Sequence, residues 1–270
     1  MEWVVQVSRS TQSRTVQIDG DLLECQWQAP GGSAPTLVFL HEGLGCVQMW
    51  RDFPYQLAAQ TGLGMLNYSR SGYGGSSPAV LPRQADYMHH EAIVVLPQVL
   101  EAFDIQSAVV VGHSDGGSIA IIHAGSETAS QIKGLILLAP HVFVEPLSIE
   151  SIAQAAKLYR TTDLPDKLSR YHGPSVDNTF WGWNDIWLHE DFRNWNIESY
   201  LPDINVPVLL LQGAQDQYGT LAQLKAIESQ VSGLSESHLI QDCGHAPHRD
   251  QSKAVLKLCG RFIDMLISVD

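Results

Sequence analysis

The pentapeptide Gly112-His113-Ser114-Asp115-Gly116 constrains the fold more than any other part of this sequence. It follows the apolar run 108–111 and precedes a stretch of small residues, 117–124, that is predicted to be helical. A serine between two glycines in a strand–turn–helix setting is typical of a nucleophile on a strained turn, because the turn leaves little room for neighbouring side chains. The free N–H groups of the helix would also stabilise a developing anion. Ser114 is therefore a candidate nucleophile, and a purely structural glycine turn is the alternative.

Composition limits the classes of partner and compartment. The 270 residues suit one large α/β domain or a core with a lid. A formal net charge of −13 without a cluster of Lys or Arg argues against nucleic acid. Residues 1–11 contain no apolar run of signal-peptide length, and no run of about 18 apolar residues occurs, so we expect a cytoplasmic protein that does not bind membranes. The four cysteines include no C-x-x-C pair, which predicts neither a zinc site nor a disulfide framework: Cys25, Cys46, Cys243 and Cys259.

Short apolar runs alternate with longer amphipathic stretches along the chain. A hairpin is predicted over residues 15–27, with its turn at 19–21. Continuous apolar runs predict strands buried on both faces, at 37–40, 64–68, 108–111, 134–138 and 206–211, with a last strand at 237–240. Helices are predicted at 48–60, 84–103, 117–130, 219–232 and 251–267. This alternation predicts an α/β fold with a doubly wound, mostly parallel sheet.

One interval interrupts this alternation, between the strand that ends near Leu138 and the strand that starts near Val206. A structureless loop of that length would be anomalous, and residues 147–170 have a helical pattern. We therefore predict a helical lid over residues 142–201, with residues 1–141 and 202–270 forming the core. The interval holds four tryptophans, which either line a pocket or pack the lid onto the core: Trp181, Trp183, Trp187 and Trp195.

A serine hydroxyl needs a base, and the base needs an orienting acid. His245 lies just beyond the last predicted strand, and Asp216 just beyond the strand before it. Loops that follow parallel strands collect at the carboxyl edge of the sheet, so Ser114, Asp216 and His245 are expected to meet there. Glu145 is the alternative acid. The alternative bases are His248, His141, His123 and the pair His89-His90, for which no carboxylate pattern indicates a metal site.

Acyl transfer also requires hydrogen-bond donors for the oxyanion. One is expected from the backbone N–H of Asp115, directly after the nucleophile. The other is expected from the glycine-containing loop 41–45, where Gly43 is the first candidate and Leu44 the second.

These motifs together resemble the α/β-hydrolase-fold serine hydrolases. Residues 41–45 (His-Glu-Gly-Leu-Gly) resemble the H-G-x-G oxyanion loop of that family, and residues 69–76 resemble its R-G-x-G-x-S loop. The turn at 112–116, the loop of Asp216 and residues 244–247 complete the pattern. The chain is most similar to compact lidded bacterial esterases, enol-lactone hydrolases and C–C bond hydrolases. The resemblance implies a lid inserted after the sixth strand, a Ser-Asp-His triad, and no metal or organic cofactor.

Glu42 departs from this pattern, because the family usually has glycine there. An ionised carboxylate facing the oxyanion would oppose catalysis. We therefore expect Glu42 to point away and to pair with Arg70, as a structural ion pair; a catalytic or tuning role is the alternative.

The expected activity is hydrolysis of a small carboxylic ester or lactone, with a small ester-like molecule as the only implied partner. Hydrolysis of a C–C bond or of a small amide by the same residues is an alternative. A non-enzymatic receptor for a small molecule is another, because a fold does not determine a function.

Overall fold

An eight-stranded sheet forms the centre of the protein in the computed structural model, which describes residues 11–127 and 129–268. The residues before 11, and with them most of the segment considered as a possible leader, lie outside the described part. The strand order is β1-β2-β4-β3-β5-β6-β7-β8. The strands are β1 Gln12–Ile18, β2 Asp21–Gln28, β3 Thr36–Leu40, β4 Gly64–Tyr68, β5 Ala108–His113, β6 Ile132–Leu138, β7 Val208–Gly213 and β8 Ser235–Ile240.

The pairing of these strands confirms the predicted fold class. Strands β1 and β2 form an antiparallel hairpin, and β2 also pairs antiparallel with β4. All remaining pairs are parallel. The hairpin turns at Asp19 and Gly20, whose positive φ values of 52° and 88° suit a two-residue turn. Every residue of β3, β4, β5 and β7 is buried, because helices cover both faces of the sheet.

Ten α-helices surround the sheet within the described residues. They are α1 Phe53–Thr61, α2 Tyr87–His90, α3 Leu96–Ala102, α4 Asp115–Ala124, α5 Pro146–Thr161, α6 Leu164–His172, α7 Val176–Leu188, α8 Leu221–Gln230, α9 Pro247–Asp250 and α10 Ser252–Ile267. Side chains of α1 and α10 pack on one face of the sheet with Leu37 and Val109. Side chains of α3, α4 and α8 pack on the other face with Val38 and Val110.

Several helix boundaries differ from the sequence prediction. Helix α4 begins two residues earlier than expected and ends at Ala124, where the Gly125 N–H bonds the Ile121 carbonyl at 3.0 Å. The stretch predicted as one helix at 84–103 consists of α2, a π-helical turn at Glu91–Val95 and α3. Periodicity located these helices and did not fix their ends, since an end depends on local caps.

Helices α5, α6 and α7 lie between β6 and β7 in the chain; we call residues 146–188 the helical insertion. Side-chain hydrogen bonds join its helices and attach it to the core. The Asn184 amide of α7 donates to the Ile152 carbonyl of α5 at 2.8 Å. The Thr179 hydroxyl of α7 donates to the Gly72 carbonyl at 2.5 Å, and the His172 Nε2 of α6 lies 3.0 Å from the Leu44 carbonyl. The division of the chain into a core and a separate lid domain stays a prediction.

No helix in the described ranges is both long and apolar enough to cross a bilayer. The four cysteines all have free thiols and are buried.

Candidate active site

Ser114 stands on a strained turn between β5 and α4. Its backbone has a φ of 51° and a ψ of −118°, a conformation that side-chain-bearing residues seldom adopt. Its N–H donates to the Leu138 carbonyl at 2.9 Å, which ties the turn to β6. A Cβ at Gly112 would lie 2.7 Å from the Gly117 Cα, and one at Gly116 would lie 2.8 Å from a backbone carbonyl oxygen. The two glycines are therefore required by close backbone contacts at this turn.

His245 and Asp216 meet at the carboxyl edge of the sheet. The His245 Nδ1 lies 2.9 Å from both carboxylate oxygens of Asp216, whose side chain is almost fully buried. The Tyr218 N–H also donates to Asp216 Oδ1 at 2.8 Å. Burial alone would raise the pKa of Asp216, but the hydrogen bond and charge of His245 and this backbone donor hold the pKa below its ordinary value. The Asp216 carboxylate therefore stays ionised and fixes the Nδ1–H tautomer of His245, which leaves Nε2 free to accept a proton.

Ser114 and His245 line the same cavity, of about 110 Å³. The cavity also contacts Gly43 and Asp115, which are the two predicted oxyanion residues. No hydrogen bond joins Ser114 Oγ to the His245 imidazole among the described residues; in unliganded enzymes such contacts often tighten only when substrate binds. The rest of the lining is formed by Glu42, Leu44, His141, Ser148, Ile152, Trp183, Trp187 and Tyr218.

The backbone positions of Gly43 and Asp115 suit anion binding. Asp115 is the first residue of α4, so its N–H has no acceptor within the helix. Gly43 lies in the loop after β3, and the Trp183 indole packs directly on its Cα, where it occupies the space of a Cβ. Leu44, the second candidate, borders the same cavity. The structure thus brings all of the predicted site residues together around one cavity, with Asp216 behind His245.

The alternative acid and bases occupy other places. The Glu145 carboxylate binds the N–H and hydroxyl of Thr220, at 2.9 and 2.6 Å, and the Gln223 amide at 2.8 Å. It therefore anchors the start of α8 instead of orienting His245. His123 bonds the Ala92 carbonyl at 2.9 Å, and the ring of His248 packs on Trp50.

His141 borders the cavity, although sequence reasoning ranked it only as an alternative base. Burial, together with the nearby His245, lowers the pKa of His141 to about 3, so the ring is neutral. Its Nδ1 is buried and has no hydrogen-bond partner in the described part of the chain. The position of His141, just after β6, is the sequence signal that places it at this edge.

Two of the four tryptophans between β6 and β7 line the cavity, Trp183 and Trp187. The Trp187 Nε1–H donates to the Tyr87 hydroxyl at 3.1 Å, and this hydroxyl donates to Asp115 Oδ2 at 2.6 Å. The chain of hydrogen bonds links helix α7 to the residue after Ser114, and nothing in the sequence pattern singled out Tyr87. Trp195 instead stacks on Phe192, with ring centroids 5.2 Å apart.

The expected partner of Glu42 was wrong. Arg70 donates from Nη2 to the backbone carbonyl of Glu42 at 3.0 Å, and not to its carboxylate. Glu42 is one of the residues that line the cavity, and its carboxylate contacts the imidazole of His113, with Oε2 3.3 Å from Nδ1. The expectation that adjacent strands place Arg70 near this loop is met, but the direction of the His113 side chain at the end of β5 decides the partner of the carboxylate.

Comparisons with known proteins agree with this architecture. The model of the alpha/beta hydrolase family matches residues 37–258. A proline iminopeptidase from Lactobacillus delbrueckii subsp. bulgaricus is 23% identical over 271 residues, which cover 87% of this chain and 90% of the relative. The human monoglyceride lipase is 27% identical over 232 residues, covering 75% of this chain and 72% of the relative. An esterase from Exiguobacterium antarcticum superposes with a TM-score of 0.74 at 18% identity, covering 94% of this chain and 100% of that structure.

Proposed function

Since the chain belongs to the alpha/beta hydrolase family, we propose that it is a serine hydrolase that cleaves small carboxylic esters or lactones. One observation carries the proposal above all others. The hydrogen bond between Asp216 and His245 orients the imidazole at the same cavity as the strained Ser114. A nucleophile, a base and an ionised orienting group are the parts that acyl transfer needs.

The reaction begins when Ser114 Oγ attacks the carbonyl carbon and transfers its proton to His245 Nε2. The Asp216 carboxylate stabilises the imidazolium that forms. The N–H groups of Gly43 and Asp115 bind the tetrahedral oxyanion, to which the positive end of α4 also contributes. His245 then protonates the leaving alkoxide, and the acyl group stays on Ser114. Water, activated by the same histidine, releases the acid and restores the free serine.

The size and lining of the cavity favour a small acyl group. A cavity of about 110 Å³ is smaller than the engineered cavity of about 150 Å³ that holds benzene. Its walls are mostly apolar, with Trp183 and Trp187 from α7 and Ile152 from α5. We therefore propose that the helical insertion acts as a lid that limits acyl length. Relatives named as a peptidase and a lipase indicate that this family cleaves different bonds, so the bond type must be measured.

Steady-state hydrolysis of the p-nitrophenyl esters of acetate, butyrate and octanoate tests the proposal. The wild type should turn over the short esters repeatedly and prefer them to octanoate. Ser114→Ala should lose about 10³-fold or more in kcat while its melting temperature changes little. A folded wild type that cleaves none of these esters would contradict the proposal.

The same protein samples should be tested with proline p-nitroanilide and with a β-diketone. Turnover of either one in the absence of ester hydrolysis would assign the triad to an amide or a C–C bond. A rise in melting temperature with a ligand that is never consumed would instead indicate a receptor.

A further inference from the structure

The Glu42 carboxylate and the His113 imidazole form a buried contact between the segments that build the candidate site. Glu42 directly precedes Gly43 in the loop after β3, and His113 directly precedes Ser114 at the end of β5. The side chain of His113 is 2% exposed and that of Glu42 is 16% exposed. While its Nδ1 faces Glu42 Oε2, the His113 Nε2 lies 2.7 Å from the carbonyl oxygen of His245. One imidazole thus contacts both the oxyanion loop and the loop of the proposed base.

The hydrogen-bond partners define the charge of His113. A backbone carbonyl accepts hydrogen bonds and cannot donate them, and the same holds for an ionised carboxylate. Because each ring nitrogen faces one of these acceptors, both contacts are hydrogen bonds only when His113 carries a hydrogen on each nitrogen, which makes it an imidazolium. Burial opposes the ionisation of Glu42, but the hydrogen bond and charge of His113 lower the pKa of Glu42 below its ordinary range.

Two histidines close to this pair, His248 and His41, have lowered pKa values. The ring of His248 lies 4.8 Å from that of His113, and burial and the His113 charge keep the pKa of His248 well below its ordinary value. His41, whose pKa burial also lowers, faces Arg70. Both of these rings are neutral, and His113 is the ring that faces the Glu42 carboxylate directly. The ring of His245 lies 5.2 Å from that of His113 on the other side.

We infer that Glu42 and His113 are positioning residues: their ion pair locks the oxyanion loop and the His245 loop onto the nucleophile turn and cancels the negative charge beside the oxyanion. The inference rests on the proposed function of Ser114. The Gly43 N–H must stay within about 0.5 Å of its productive place to bind an oxyanion. Three contacts hold the backbone carbonyl of Glu42: Gly45 N at 3.0 Å, Arg70 Nη2 at 3.0 Å and His41 Nδ1 at 2.7 Å. The carboxylate adds a contact with His113, the residue before Ser114, which these backbone contacts lack.

Four variants separate the positioning effect of the Glu42–His113 contact from the effect of its charges. Glu42→Gln keeps a side-chain hydrogen bond to a neutral His113, so kcat should stay within about 3-fold of the wild type. Glu42→Ala removes the link, and kcat should fall by about 10²-fold while KM for a short ester changes little, as when an oxyanion donor is misplaced. His113→Ala leaves an uncompensated carboxylate beside the oxyanion, and kcat should fall at least as far. Adding Glu42→Gln to His113→Ala should then restore part of the loss, about 5-fold or more.

A partial recovery of kcat in the Glu42→Gln/His113→Ala double variant is not expected if the contact is merely structural. If the double variant is as slow as His113→Ala or slower, with melting temperatures alike, the electrostatic part of the inference is overturned. Equal kcat values for Glu42→Ala and the wild type would overturn the positioning role.

Nitrogen-15 NMR of the histidine side chains tests the charge without any substrate. In the wild type, both ring nitrogens of His113 should show the shifts of protonated nitrogen, with the signals assigned by their loss in His113→Ala. One of them should become unprotonated in Glu42→Gln. His141 is the internal control, because its low pKa predicts a neutral ring at pH 7. A neutral His113 in an active esterase would overturn this inference alone. A charged His113 in a folded protein without ester hydrolysis would support the ion pair and contradict the proposed function.

Discussion

At the scale of single residues, burial and hydrogen bonds assign different protonation states to groups around one cavity. The pKa of Asp216 is held low by its bond to His245, which outweighs the effect of burial. The pKa of His141 falls to about 3 because its ring is buried and lies near His245, and the charge of Asp216 offsets only part of this effect. Burial raises the pKa of Asp115, whose carboxyl group accepts from the Tyr87 hydroxyl. Only the first of these settings creates a fixed negative charge directly behind the proposed base.

Asp216→Asn should therefore lower kcat more than the corresponding substitution of the alternative acid, Glu145→Gln. The variant loses the charge that stabilises the imidazolium, and kcat for a short ester should fall by about 10³- to 10⁴-fold. Glu145→Gln is the matched control, since it keeps acceptor oxygen for Thr220 and should retain kcat within about 3-fold. Near-wild-type turnover by Asp216→Asn, or a larger loss in Glu145→Gln, would show that the triad is assigned wrongly.

The Asp216 carboxylate should also make the melting temperature depend on pH, with its stabilising effect lost as the solution becomes acidic. Its folded pKa lies below the ordinary aspartate value of about 3.9, so its stabilising contribution is complete above that pH and declines as the pH falls further. Melting curves of wild type and Asp216→Asn should therefore differ most near neutral pH and converge in acid. If the difference in melting temperature between the two proteins grows as the pH falls, this prediction is wrong.

At the scale of secondary-structure elements, the sheet supplies the loops of the site and the helical insertion supplies much of its apolar wall. Strands β5, β6, β7 and β8 are consecutive and parallel in the sheet, which brings the segments after them to one edge. Helices α5 and α7 close the cavity from the opposite side, and the Asn184–Ile152 hydrogen bond joins them. Side chains on these two helices should therefore set acyl length without touching the triad.

Ile152→Ala tests this division of roles. Ile152 is 2% exposed and lines the cavity, so its truncation lengthens the acyl pocket. The ratio of kcat/KM for octanoate to that for butyrate should rise by about 10-fold, which is the scale of one or two methylene groups in an apolar pocket. Ile149→Ala, on the same helix but outside the cavity lining, should leave the ratio unchanged. Equal ratios in the two variants would place the acyl pocket elsewhere.

The elements that the sequence predicted best are those whose signal is local and continuous. Buried strands such as β3 and β5 are uninterrupted apolar runs, so their positions follow from the sequence alone. The placement of Asp216 and His245 follows from the rule that loops after parallel strands share an edge. The His113 partner of Glu42 could not be predicted in this way. It depends on the direction of one buried side chain, and the two residues lie 71 positions apart in the chain, without a local sequence pattern that links them.

At the scale of the whole molecule, all four cysteines are buried within the protein core. Burial raises the pKa of Cys25, Cys46 and Cys259 to about 12 and that of Cys243 to about 11. At pH 8 these thiols are protonated and inaccessible, so none should react while the protein is folded.

Titration with Ellman's reagent checks this expectation. The native protein should show almost no fast-reacting thiol, and the unfolded protein in guanidinium should show all four. Ser229→Cys adds a thiol on the exposed side of α8 and should react at once, which verifies the assay. A wild-type thiol that reacts as quickly as this control would mean that the core opens or is packed differently around that residue.

The central claim, that Ser114 is an activated nucleophile, is tested most directly by covalent labelling with a fluorophosphonate, followed by intact-mass and peptide analysis. We predict one adduct per chain, located on Ser114 and formed together with the loss of ester hydrolysis. Labelling should be absent in Ser114→Ala and greatly slowed in His245→Ala. A folded wild type that remains unlabelled, or that carries its adduct on another residue, would contradict the account.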